Sequence, residues 1–379
     1  MPRVQARTVV VYLAFLSVGS SVAPLSHLIS GPTAASARAR IARGASRLDS
    51  SAGSVRAAQA GGSGYHLVKR YKLGGEGGWD YLLMDSPSHR LFISRGTRVM
   101  VVNTNDGTVI GEIPGLHRSH GIALAPEFGK GFASDGEPGS VVVFDYQTLK
   151  VIDTVKTDND SDGIIYDRGT KRVFTMNGDA GTSTAIDART GRVVGTFPLG
   201  GKPEFAAADG KGHVFANLVD KSEMVRIDAE GLKVEQTWPL EPCRSPSGLA
   251  IDAANERLFP GCHNGVMGFV DGNSGKVLGT VPIGTGVDAN RFDPGTGFAF
   301  ASCGDGTITV AHEDSPGQLT EVEKITTQRG ARTMAIDLET HAIYTVTADF
   351  GPPPAPTTEH PHARPAILPD TFTLLVYSR

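Results

Sequence analysis

Three groups of residues carry the types and spacings that could do chemistry. Asp158-Asn159-Asp160-Ser161-Asp162-Gly163 repeats the D-x-D-x-D-G opening of a calcium loop, where alternate carboxylates converge on a hard cation. The pattern then departs. Position twelve is Gly169 where the loop needs Glu, and Ile164-Ile165-Tyr166 follows as a strand. Asp158, Asp160 and Asp162 are thus candidates for a divalent cation such as calcium, beside the plainer reading of an Asp-rich turn. In His360-Pro361-His362, two imidazoles two residues apart project to one side of an extended chain. His360 and His362 could meet a metal or ligand, or belong to a solvated loop. His120, Glu204 and Arg332 form the third group. His120 could act as a base against Glu204 or Asp162 to activate a water, and Arg332 could hold a carboxylate substrate, which would suit lactone hydrolysis. The competing readings are a hydrogen-bonding His120 and an Arg332 ion-paired with Asp288 or Asp80. G-x-S-x-G, H-E-x-x-H, a Walker loop and a helix-opening G-x-G-x-x-G are all missing, so no catalytic motif is recognisable.

The elements that must position these residues repeat along the chain. Basic, Gly or small apolar residues lead into an aromatic at Phe92, Phe132, Phe174, Phe215, Phe259, Phe300 and Tyr344. Successive spacings are 40, 42, 41, 44, 41 and 44, the period of a propeller blade of four short strands. Ahead of each aromatic lies a short apolar run opened by a polar residue, as in His120-Gly121-Ile122-Ala123-Leu124. That run is the innermost strand, where small side chains suit the converging centre. After the aromatic come paired strands joined by turns such as Asp187-Ala188-Arg189-Thr190-Gly191. The last blade lacks its own fourth strand, and Tyr65–Leu73 is a spare one near the other end. Pairing them predicts an all-β, seven-bladed β-propeller closed by the N-terminal strand joining the C-terminal blade, and removes an exposed edge.

In such a ring the inner-strand starts and second-strand ends surround the mouth of the central channel. The ligand-binding candidates there are Asp80, His120, Asp162, Glu204, Asp288, Arg332, His263 and Asp305. Together they make a polar, mostly acidic rim, either a ligand or cation site or an ordinary wet surface. Cys243 and Cys262 fall at adjacent strand ends of blade five, so a disulfide is expected there, with Cys303 as the odd thiol or an alternative partner. The segment from Gly351 to Pro369 holds seven prolines and joins two strands of blade seven on the mouth side. It reads as an extended loop over the mouth.

The R-L-F type strand and the hairpin Asp187-Ala188-Arg189-Thr190-Gly191-Arg192-Val193-Val194-Gly195-Thr196 resemble those of the YVTN (YncE-like) seven-bladed propellers, in the quinoprotein amine dehydrogenase heavy-chain-like superfamily. The resemblance spans about residues 64–379. It implies an exported bacterial binding or interaction scaffold, with a lactonase-like hydrolase as the alternative. A literal Tyr-Val-Thr-Asn run is absent, and the long blade-seven insert departs from the pattern.

Composition bounds the rest. Gly and Pro together are 70 of 379 residues, above the ordinary share of about 12 %, which disfavours helix bundles. Net charge is -4, which gives no footprint for nucleic acid. Residues 1–60 differ from the remainder: Arg3 and Arg7, an apolar run from Val9 to Val18, then small residues. These are the parts of a signal peptide, and the run is too short for a comfortable membrane span. A leader and linker over 1–60 and a propeller over 61–379 follow. The protein is then periplasmic or secreted, without a transmembrane span when mature. It is expected to be a monomer that meets a small molecule or an envelope protein.

Overall fold

The computed structural model describes residues 62–315, 317–354 and 365–379. They form seven four-stranded antiparallel sheets. Six sheets are consecutive in the chain, and the seventh is completed by the N-terminal strand His66–Lys72 on the C-terminal strand Thr373–Ser378. The chain is therefore an all-β, seven-bladed propeller with its ring closed as the spare strand demanded. The only helices among the described residues are single turns at Ser86–Ser88 and Pro126–Phe128, and none is long and apolar enough to cross a membrane.

Each periodic aromatic lies in the second strand of its blade, and all seven are buried. The apolar side chains gather into seven clusters, one in each seam between neighbouring blades. The seam of blades 1 and 2 packs Phe92 and Val101 against Ala133 and Phe144. The closing seam packs Leu91 and Met100 against Tyr344 and Leu374. A blade cannot bury both faces by itself, so the ring is held by its neighbours' surfaces. The outermost strands are the exposed ones, with Val109, Ile110, Val151, Ile152, Val193 and Val194 open to water.

Acidic residues set the turns. Asp167, Asp252, Asp293 and Asp337 end inner strands and accept backbone N–H bonds from the following turn. Asp145, Asp187 and Asp271 do the same in the outer hairpins. These are Asx turns of the kind expected at Asp187-Ala188-Arg189-Thr190-Gly191.

Candidate functional site

The inner strands share one register. Leu82, Ile122, Ile164, Ala206, Leu249, Asn290 and Met334 hold matched pairing positions in their blades. Two residues ahead of each stands Asp80, His120, Asp162, Glu204, Ser247, Asp288 or Arg332. Hence one side chain per blade forms a ring at the channel mouth. In blades 2 to 6 the strand pairing shifts register at this point. Such a bulge re-aims the side chain it carries.

Hydrogen bonds from the neighbouring blade fix the backbone of this ring. Ser94 Oγ donates to the His120 carbonyl at 2.5 Å and Ser134 Oγ to the Asp162 carbonyl at 2.5 Å. Asn217 donates to the Ser247 carbonyl at 2.9 Å, and Ser302 to that of Arg332. The approaching loops are fixed too. Asp135 accepts the N–H groups of His117 and Arg118, Asp220 that of Lys202, and Asp305 that of Thr285. In blade 1 the device is inverted. Buried Arg95 donates to the carbonyls of residues 74–78 and stacks on Phe372 at 3.7 Å.

Two cations sit among four carboxylates in the ring. His120 Nδ1 lies 2.5 Å from Asp80 and 3.4 Å from Asp162. Arg332 Nε lies 2.5 Å from Asp288, and its Nη2 lies 3.5 Å from Asp80. Burial pulls the imidazole pKa down, but the Asp80 bond and the Asp162 charge outweigh it and raise it to about 9. At neutral pH His120 is therefore a cation, and its Nε2 is buried without a partner. Burial drives Asp162 well above the usual carboxylate range, against the pull of His120. Asp288 is also raised by burial, with Arg332 opposing. Burial, then the charges of Asp288 and Asp80, push Glu204 up to about 7. Glu204 has no ion-pair partner within 4.0 Å among the described residues.

The likeness to known proteins is one of shape. No family model and no curated protein matches the sequence. Solved structures do match. Hydrazine synthase of Kuenenia stuttgartiensis superposes with a TM-score of 0.60 at 15% identity, over 70% of this chain and 91% of that one. The WD40 repeats of RRP9 give 0.66 at 9% identity, over 82% and 96%. U3-55K gives 0.66 at 9%, over 82% and 98%. They share the propeller fold with this chain. At such identities nothing further is carried over.

Several sequence candidates fall elsewhere than the motifs suggested. Asp158, Asp160 and Asp162 are not gathered round one point. Asp158 accepts from Thr182, Asp160 pairs with Arg118 and Lys202, and Asp162 belongs to the mouth. Among the described residues the one group able to hold a metal is Asp80, His120 and Asp162, whose ligand atoms lie within 4.8 Å of one another. Of the two carboxylates expected beside His120, Asp162 is there together with Asp80, and Glu204 is not within 4.0 Å. Arg332 is the ion-paired residue of the simpler reading. Asp305 is exposed and spends its carboxylate on Thr285 and Thr307, so it shapes a loop. His263 is exposed near Asp288 and pulls that acid down. His360 and His362 lie outside the described residues. The two ends of their segment are tied by Phe350 pairing with Ile367, beside a hollow of about 410 Å³ that also touches Trp79 and Arg332. Cys243 and Cys262 form a disulfide, and Cys303 is buried and free.

Proposed function

We propose that the chain is an exported propeller of the YVTN (YncE-like) type that works as a binding scaffold, and that its mouth takes a positively charged group of a ligand. One observation carries the reading. Four carboxylates share two cations, and Glu204, left without one, is raised to about 7. Its carboxyl is then partly protonated near pH 7. An ammonium group or a divalent cation would displace the proton, and the Asp80, His120 and Asp162 group is the alternative seat for a metal.

Calorimetry with calcium chloride and with 1,4-diaminobutane tests this. The expected result is binding that releases protons near pH 7 and weakens at least about tenfold in Glu204→Gln. Affinity indifferent to that substitution would overturn the reading. A second reading is a lactonase-like hydrolase. Glu204 near 7 is in the range of a general base, while a protonated His120 is not. A lactone panel on wild type and Glu204→Gln decides it, since activity that survives the substitution removes the hydrolase.

Export rests on residues 1–60. Fractionation of cells making the full chain should recover a shortened protein from the periplasm or medium. A full-length cytoplasmic protein would contradict it.

A further inference from the structure

Beneath the mouth ring the inner strands border an open cavity of about 240 Å³. Its wall is largely apolar and includes Ile122, Ile164, Phe205 and Leu249, with Tyr81 and Arg291 among its polar members. None of the mouth carboxylates lines it. Arg291 is out of place by register. It pairs with Phe300, and the residues facing the same aromatic position elsewhere are Leu83, Ala123, Ile165, Ala207, Ala250 and Ala335. Six blades put an apolar side chain there, and blade 6 puts a guanidinium.

That guanidinium has no counter-ion among the described residues. Nη1 donates to the Asn290 carbonyl at 2.7 Å and Nη2 to the Leu82 carbonyl at 3.2 Å. Its centre lies 5.2 Å from the Phe205 ring, which meets Tyr81 edge-on at 4.7 Å. No carboxylate comes within 4.0 Å of it among the described residues. Burial pulls it down to about 10, which is still charged at neutral pH. Two of its five N–H donors are used, which leaves three for an acceptor. Buried charges are ordinarily paired. Here the unpaired one borders an apolar hollow of about 240 Å³.

We propose that this cavity binds a small organic monocarboxylate, its carboxylate on Arg291 and its apolar body against Phe205, Ile122, Ile164 and Leu249. Its three unused N–H donors can serve the two oxygens of a carboxylate. Apolar walls disfavour inorganic phosphate or sulfate, which would leave oxygens without donors. The site is separate from the mouth and prefers the opposite charge.

The test uses the full chain, with benzoate and its neutral isostere benzamide as probes, followed by ligand-observed NMR and calorimetry at pH 7. Benzoate is expected to bind at least tenfold more tightly than benzamide. Arg291→Leu should abolish that preference, and Arg291→Lys should keep part of it. Equal affinity for the two probes, or no benzoate binding at millimolar concentration, overturns the proposal. So does a folded Arg291→Leu that binds benzoate like wild type. If Arg291→Leu does not fold, the probe comparison on wild type still decides. Failure of the mouth reading would appear in the calcium and diamine experiments and leaves this result untouched.

Discussion

His120 bonds Asp80 across the seam of blades 1 and 2, and Asp80 reaches on to Arg332 across the closing seam. One carboxylate thus couples three blades. His120 is raised to about 9, so its stabilising pair is complete below the unfolded value near 6.5 and is lost as pH rises through 9. Glu204 is raised to about 7, so its protonated form also favours the fold, and that contribution fades from about 4.5 upward. Both act in the same direction. Urea titrations at pH 5.5, 7 and 9 should show stability falling by on the order of 2 kcal/mol from first to last. His120→Gln should flatten the upper half of that fall. An unchanged slope in the variant would remove His120 from the account.

Ser134 is wholly buried and serves two masters. Its Oγ accepts the Gly121 N–H at 2.8 Å and donates to the Asp162 carbonyl. Ser134→Ala strands both groups in a dry seam, at a cost of about 1–3 kcal/mol. The same substitution should weaken cation binding at the mouth, because Asp162 loses its backbone tie. A midpoint in urea within about 0.5 kcal/mol of wild type would show the bond to be dispensable.

Thiol chemistry separates the three cysteines. Burial pushes the Cys303 thiol up to about 12, so a thiol reagent should find nothing in the native protein. One group should react after unfolding without reductant, and three after reduction. Cys243 and Cys262 lie 19 residues apart, so reduction should cost about 3 kcal/mol by loop entropy. Two reactive thiols in the oxidised, unfolded chain would contradict the pairing.

Two glycines of blade 5 should respond oppositely to alanine. Gly275 has φ +72, and an added Cβ would fall 2.0 Å from the Trp238 ring of blade 4. Gly275→Ala should cost about 2–4 kcal/mol. Gly279 has open space around it, and Gly279→Ala should be neutral or gain about 0.5 kcal/mol. Thermal melts of the pair make the comparison, and equal shifts would refute it.

Much of this was legible in the chain, and for local reasons. Phe92 through Tyr344 mark the second strands because each blade must bury one aromatic at the same depth. The polar residue opening each inner strand marks the mouth because strand register is periodic. What could not be read was the pairing between blades. Asp80 meets His120 and Arg332, Asp160 meets Arg118 and Lys202, and Ser134 holds Asp162 from the adjoining sheet. These contacts cross seams, and no spacing rule encodes them. The calcium-like run does not converge because Asp160 turns back at φ 59 just ahead of the strand Ser161–Asp167 that carries Asp162 to the mouth. Arg291 escaped notice because it sits in the middle of an inner strand, and only comparison with the six sister strands shows that it is foreign there.

The junction of His66–Lys72 with Thr373–Ser378 has a consequence in time. Six blades can form in order as the chain lengthens, each from contiguous residues. The seventh must wait, because its outer strand is among the first described residues and its partner among the very last. Until then the ring is an open arc, with blade 1 and the unfinished blade 7 each showing an uncovered apolar face. The loop to be closed is nearly the whole described chain, so its entropy falls due in one late step. The ring therefore locks only when the C-terminal residues have been delivered. A nascent or partly delivered chain has everything of the fold except its latch.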